Sequence, residues 1–353
     1  MFDSAEVAKQ AMQEFFEPHQ VAQVVQALVP ALAIEPLPGQ AAKPGASRLG
    51  GTPDLPTGSA WPVPPAPPDA EAIASRGNAS AGAEMRDHLA RNLPYAFIGQ
   101  IDLEEAHAQG AVAQALPPHG RLLFFYDLAV GPWETGERVA RVIWDQSPRE
   151  SLRPAALPPA LREAHEAERR EREAILLKYK QPLPQGESGT NYLAPPRAVA
   201  LHAAVGVPDP AALEMAAIPA LDDHYHGRDG VGDAGEAFAE AYEEMREELA
   251  QSYPAPGWKR HQLLGSPTPE QDDPRYSAVV VAEYGKEFLD RETWQRERGH
   301  IMRAARDWRL LLQLDLADWS GDALGEGTVY FVIRNADLAA RRFDRVMAVY
   351  QQT

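Results

Sequence analysis

The chain has no cysteine among its 353 residues. That excludes disulfides, thiolate zinc sites, iron–sulfur clusters and a cysteine nucleophile. Positive charge is also scarce: 34 Lys plus Arg stand against 51 Asp plus Glu, a formal net charge of −17. Such a balance argues against wrapping nucleic acid or an anionic membrane, since both need a basic face. The apolar run nearest the N-terminus, Ala27 to Ile34, is broken by Pro30 and is too short for a secretory segment or a bilayer span. The start, Met1-Phe2-Asp3-Ser4-Ala5-Glu6, is acidic and carries no basic n-region. The expectation is a soluble cytoplasmic protein. There is no P-loop Gly-Lys-Ser/Thr, no G-x-S-x-G elbow and no H-E-x-x-H.

What is present is enough for a core. Hydrophobic residues make up 44% of the chain, which excludes wholesale disorder. At roughly 150 residues per domain, the length suggests about two domains or one large one. Residues 4–34 read as helical, with Ser4 as a cap, Val7, Ala11, Phe15 and Phe16 on one stripe, and Val21, Val24, Val25 and Leu28 on a second. A Gly-Pro loop follows at 48–56, then a proline-rich stretch at 62–68 that cannot be helix. Residues 97–103, 120–126 and 138–144 are β-branched and aromatic between turn signals, and read as three strands. Residues 157–180 read as a charged helix with a solvated face. Residues 236–249 read as an acidic amphipathic helix with Phe238, Tyr242, Met245 and Leu249 on its stripe.

The sequence repeats itself. Leu263-Leu264-Gly265-Ser266-Pro267 echoes Leu49-Gly50-Gly51-Thr52-Pro53 at an offset of 214. Leu311 to Leu316 echoes Ile98 to Leu103 at 213, and Gly327 to Val332 echoes Gly120 to Phe125 at 207. Arg345-Val346 echoes Arg138-Val139 at 207 again. Ordered segments at a nearly constant offset predict two copies of a small αβ unit, not a solenoid. The expected fold is α+β: two duplicated, mainly antiparallel β units related by a pseudo-twofold, with peripheral helices. The boundaries follow: a helical lead-in at 1–46, a first repeat at 47–146, a helical and loop insertion at 147–260 and a second repeat at 261–353. Residues 47–353 would form one compact domain. Period two puts Trp308, Leu310, Leu312, Leu314 and Leu316 on one core face, with Gln313 and Asp315 opposite. In the first copy Phe97, Ile101 and Leu103 take the core face, with Ile98, Gln100 and Asp102 opposite.

These motifs resemble the YwqG-like family of bacterial proteins. The resemblance is carried by Leu49-Gly-Gly-Thr-Pro-Asp-Leu-Pro with Trp61-Pro62, Ala96-Phe-Ile-Gly-Gln-Ile-Asp-Leu, Gly120-Arg-Leu-Leu-Phe-Phe-Tyr and His261-Gln-Leu-Leu-Gly-Ser-Pro. Trp308-Arg-Leu-Leu-Leu-Gln-Leu-Asp, Gly327-Thr-Val-Tyr-Phe-Val-Ile, Asp337-Leu338 and Phe343 complete it. One departure stands out: Ser320 separates Trp319 from Gly321-Asp322, where the family has a Trp-Gly-Asp-x-Gly turn. The resemblance covers about 45–353 and implies a sheet-rich α+β fold. It implies no activity, because the family is a domain of unknown function.

Gln100, Asp102, Gln313 and Asp315 would either line a cleft for a polar ligand or serve the fold, each Gln holding its Gly-Pro loop and each Asp capping the next segment. Arg48 and His261 precede the two loops and would present a cation to an anionic group. Gly230-Val231-Gly232-Asp233-Ala234-Gly235 spells G-x-G-x-x-G but lacks the strand before it that a dinucleotide site needs. Asp222, Asp223, His224 and His226 are the weak metal candidates, without a fixed third and fourth ligand. No cofactor is expected. The function expected is non-catalytic binding, of a basic protein partner or a small polar ligand. A link to a bacterial toxin or its immunity is one form of it. A hydrolase or small-molecule-binding enzyme acting in a polar cleft between the repeats is the alternative.

Overall fold

A computed structural model describes residues 1–183, 186, 188–226, 232–251, 261–321 and 326–352. Twelve strands are described: β1 Val29–Pro36, β2 Arg48–Leu49, β3 Asp54–Pro56, β4 Ala96–Asp102, β5 Arg121–Tyr126 and β6 Ala140–Asp145. The others are β7 Leu152–Pro154, β8 Arg197–Gly206, β9 Gln262–Leu263, β10 Trp308–Asp315, β11 Thr328–Arg334 and β12 Met347–Gln351. Ten of them form one antiparallel sheet in the order β12-β11-β10-β9-β1-β8-β2-β4-β5-β6. The two ends of this order meet. Gly136, just before β6, exchanges backbone hydrogen bonds of 3.0 and 3.1 Å with Ala348 of β12. The sheet is thus a nearly closed barrel, a shape that leaves little exposed edge.

Two strands lie where helix or loop was expected. Residues 29–36 form β1 rather than the end of the helical lead-in, because Pro30 and Pro36 forbid helix while Leu32 and Ile34 enter the core. Residues 197–206 form β8 inside the expected helical and loop insertion. These two pair with each other at the middle of the sheet, with Glu35 opposite Ala200. Outward from the pair, each side reads the same. A two-residue strand comes first (β9 or β2), then a long strand with a bulge (β10 or β4), then β11 or β5, then β12 or β6. Each two-residue strand is bordered on its inner side by one strand of the central pair, β9 by β1 and β2 by β8. Ala33 of β1 faces Gln262 of β9, and Ala198 of β8 faces Arg48 of β2.

The bulges correct the predicted faces. Pairing skips Ile98 in β4 and Leu311 in β10, so side-chain parity inverts there. Trp308 and Leu310 pack outward against the Pro274–Tyr284 and Arg291–Ala304 helices, while Leu311, Leu312 and Leu314 enter the barrel. Likewise Phe97 points out to Leu55, Leu123 and Phe125, while Ile98 and Ile101 point in. The carbonyl of each bulged residue accepts from its loop: Gly50 N–H to Ile98 at 2.8 Å, Leu264 N–H to Leu311 at 3.0 Å.

Inside the barrel, side chains from both halves fill one core, with Phe124 and Phe331 edge-to-face at 5.3 Å. The N-terminal helices pack outside it, through Met12, Phe16, Val21 and Val24, against Phe238, Tyr242 and Met245 of the Asp233–Gln251 helix. That helix keeps Phe238, Tyr242 and Met245 of the predicted stripe buried, Leu249 half-buried, and Glu240, Glu244, Glu247 and Glu248 exposed. No described helix is long and apolar enough to cross a membrane.

Candidate functional site

The Gly-Pro loops are tight because Pro196, just before β8, lies against one and Ala31 of β1 against the other. Gly51 and Gly265 both adopt left-handed backbone, at φ 71° and 83°. A Cβ added to Gly51 would come within 2.8 Å of Pro196 Cβ, and one on Gly265 within 2.6 Å of Ala31 Cβ. Only glycine fits both the conformation and the space.

In the first half, Gln100 is fully buried and spends its amide on the loop. Its Oε1 accepts from Asp54 N–H at 3.0 Å, and its Nε2 donates to the Ala46 carbonyl and to Asp54 Oδ2, both at 2.8 Å. Asp54 Oδ2 also receives Arg48 Nη1 at 2.9 Å and Gly45 N–H at 2.8 Å. Arg48 Nη2 donates to the Thr52 carbonyl. Asp102 caps the following helix through Glu104 N–H at 3.1 Å and pairs with Arg149. Its own N–H donates to Ser47 Oγ at 3.0 Å.

The second half repeats this with different chemistry. Gln313 Oε1 accepts from Thr268 N–H at 2.9 Å, and its Nε2 donates to Thr268 Oγ1. Asp315 caps the next helix through Asp318 N–H at 2.8 Å, and its own N–H donates to His261 Nδ1 at 3.1 Å. Gln262 Nε2 donates to the Ser266 carbonyl, as Arg48 does to Thr52. The register of the expected cations therefore shifts by one. Gln262, not His261, stands in the place of Arg48, and His261 stands in the place of Ser47.

Gln100, Asp102, Gln313 and Asp315 are thus engaged by their own loops and caps. Among the described residues no hydrogen bond joins Gln100 to Gln313 or Asp102 to Asp315. The six candidates fall into two separate clusters, Arg48 with Gln100 and Asp102, and His261 with Gln313 and Asp315. Asp54, the hub of the first cluster, escaped the sequence reading although it lies inside the Gly-Pro motif.

His261 is fully buried, and burial lowers its imidazole pKa below the ordinary 6.5; Asp318, whose Oδ2 lies 3.1 Å from Nε2, pulls the other way. Nδ1 already accepts from Asp315 N–H, so it has no room for a proton. The unfolded chain takes up that proton as the pH falls through 6.5, and the folded chain resists it. Stability is therefore full above pH 6.5 and is lost as the pH falls below it, by at most about 1.4 kcal/mol per unit from this group. Urea unfolding at pH 7.5, 6.5 and 5.5 should show this loss, and His261→Gln should flatten it. An unchanged slope in the variant would assign the effect to other groups.

Asp222 and His226 pair with each other at 2.9 Å, and Asp223 and His224 sit in the same short helix, Pro219–Tyr225. Among the described residues no three His, Asp or Glu gather as a metal would need. Gly230 and Val231 of the G-x-G-x-x-G stretch lie outside the described residues.

Two open concavities lie beside the Gly-Pro loops; another, of about 710 Å³, lies apart from them, between the proline-rich stretch and Glu134, Arg138 and Arg141. A cleft of about 860 Å³ is walled by Arg48, Gly51 and Thr52, by Pro196, and by His165 and Arg169 of the Pro159–Lys178 helix. The face of that helix, expected to be merely solvated, thus forms a wall. His165 Nδ1 lies 2.9 Å from Thr190 Oγ1, and Arg169 pairs with Glu173 at 3.3 Å. A second cleft of about 310 Å³ is walled by Gln262, Ser266 and Thr268, by Ala31, and by Met245 and Arg246. Arg48 and Gln262, Thr52 and Ser266, and Pro196 and Ala31 occupy matching places in the two.

Fold and site together define an α+β protein with a large antiparallel sheet and a cleft at each Gly-Pro loop. The chain belongs to the family described as "Domain of unknown function (DUF1963)", whose model matches residues 47–351. YwqG-like proteins fall in the same family. No curated protein matches the chain.

Proposed function

We propose that the chain is a non-catalytic binding protein, built from two duplicated units about a pseudo-twofold, that takes a small polar ligand in the cleft walled by Arg48. The observation that carries this is the recurrence of a cleft at the same place beside both Gly-Pro loops. The duplication is supported by equivalent bulges, equivalent Gln-to-loop bonds and equivalent Asp caps. It extends the units beyond the repeated sequence blocks: β1 opens the first and β8 the second, and each pairs with the short strand of the other. A binding role accounts for polar residues that are spent on holding loops in shape rather than on a nucleophile, a base and its orienter. The larger cleft has the volume of a small-molecule site and offers groups of both charges.

A thermal-shift screen of neutral and charged metabolites tests this. At least one compound should raise the melting temperature saturably, since a ligand at a hundred times its Kd adds about 2.7 kcal/mol. Thr52→Trp, which fills the mouth, should abolish the shift. No shift from any compound would sink the reading. Steady conversion of a bound compound to product would favour the hydrolase alternative.

A further inference from the structure

The second cleft differs from the first in the chemistry of its wall, and this goes beyond the reading above, which concerns the first cleft alone. Where the first half carries Arg48 and Asp54, the second carries Gln262 and Thr268. Gln262 is 96% buried, since only 4% of its surface is exposed, and it forms part of the wall. Its Nε2 donates to the Ser266 carbonyl, which fixes the orientation of the amide. Its Oε1 has no partner among the described residues. Beside it, Thr268 Oγ1 accepts from Gln313 Nε2, which leaves the hydroxyl hydrogen without an acceptor among them. The wall thus holds one unspent acceptor and one unspent donor. The rest of it is largely apolar: Phe2, Val29, Ala31, Met245 and Leu249. Arg246 in this wall is held by Asp209 and, at 3.2 Å, by Glu243.

From this geometry we infer that the second cleft binds an uncharged small molecule with an apolar body and a head that both donates and accepts, such as a primary amide or an alcohol. A buried acceptor facing a ligand N–H or O–H gives a favourable contact. The same acceptor facing a carboxylate gives an unpaired charge in an apolar pocket. The volume of about 310 Å³ suits a ring or short chain of that kind. Methionine in the wall lets it adjust to the shape of the body.

Benzamide and benzoate, which share a shape and differ in charge, test this on the full chain by ligand-observed NMR titration. Benzamide should bind saturably and at least about tenfold more tightly than benzoate, the difference expected when a neutral head is exchanged for an unpaired charge. Thr268→Val should weaken benzamide about three- to tenfold, the range for one neutral hydrogen bond. Leu249→Trp, at the rim and checked for fold by circular dichroism, should abolish benzamide binding. Thr52→Trp in the other cleft should leave it intact. Benzoate binding as tightly as benzamide, no binding of either, or benzamide binding unaffected by Leu249→Trp would each overturn the inference. Loss of benzamide on Thr52→Trp instead would place its site in the first cleft, and would also overturn it.

Discussion

A chain trimmed to residues 47–353 is expected not to fold. The trimmed chain keeps all of the family match, which begins at residue 47, but loses β1. That strand is not peripheral. It pairs along eight residues with β8 on one side, and with β9 on the other. Leu32 and Ile34 are almost fully buried in the barrel. Truncating a single core leucine or isoleucine to alanine typically costs about 2–5 kcal/mol. Removing the whole strand also leaves β8 and β9 as unpaired edges in mid-sheet, a state prone to aggregation. The N-terminal helices go too, uncovering Phe238, Tyr242 and Met245. The sum exceeds the about 5–15 kcal/mol by which a domain is normally stable. Size-exclusion chromatography and thermal melting should show aggregate and no cooperative transition, against a single transition for the full chain. A trimmed chain that melts cooperatively within a few degrees of the full one would refute this.

Why β1 was hidden is instructive. The strands β4 to β6 and β10 to β12 were legible because they are rich in Phe, Leu, Val and Ile between clear turns. The recurrence of Gln-x-Asp marked their polar ends, and the loop-holding and capping roles of those residues could be read off their spacing. β1 and β8 carry a fainter likeness. Pro30, Ala33 and Ile34 match Pro195, Ala198 and Val199 at an offset of 165, not 214. The change of offset reflects the longer connection between β8 and β9, and it breaks any search at one period. The bulges left no mark, because both faces of β4, and of β10 from Leu310 to Leu314, are buried, by the barrel on one side and by other elements on the other. An inverted parity therefore exchanges one apolar residue for another. The clefts were not legible at all. Their walls join each Gly-Pro loop to a segment more than a hundred residues away, Pro196 and the Pro159–Lys178 helix in one cleft and Ala31 in the other.

The Arg48–Asp54 pair beside the first cleft has an uncharged counterpart, Gln262 and Thr268, and exchanging it should separate fold from binding. Arg48 and Asp54 are nearly or fully buried, at 6% and 0% exposure. Asp54→Ala would strand the Arg48 guanidinium, and Arg48→Gln would strand the Asp54 carboxylate. Breaking a buried pair from either side costs about 3–5 kcal/mol, because the surviving charge keeps its desolvation penalty. The second half shows what a neutral solution looks like in the same frame. There Gln262 reaches the Ser266 carbonyl as Arg48 reaches that of Thr52, and Thr268 receives Gln313 as Asp54 receives Gln100. Arg48→Gln with Asp54→Thr should therefore restore stability to within about 1 kcal/mol of the parent, although each single variant loses several. Urea unfolding of Arg48→Gln, Asp54→Thr, the double variant and the parent closes the cycle. Additive losses would mean that the charges act separately and that the two halves are not interchangeable at this point. If instead the double variant is stable, it becomes the cleanest probe of function. It keeps the loop in shape while removing the positive charge from the wall, so any ligand held by that charge should be lost without loss of fold. Burying a charge pair where an amide and a hydroxyl would suffice is hard to explain by stability. A ligand that meets the guanidinium, as proposed above, would supply the reason to keep it.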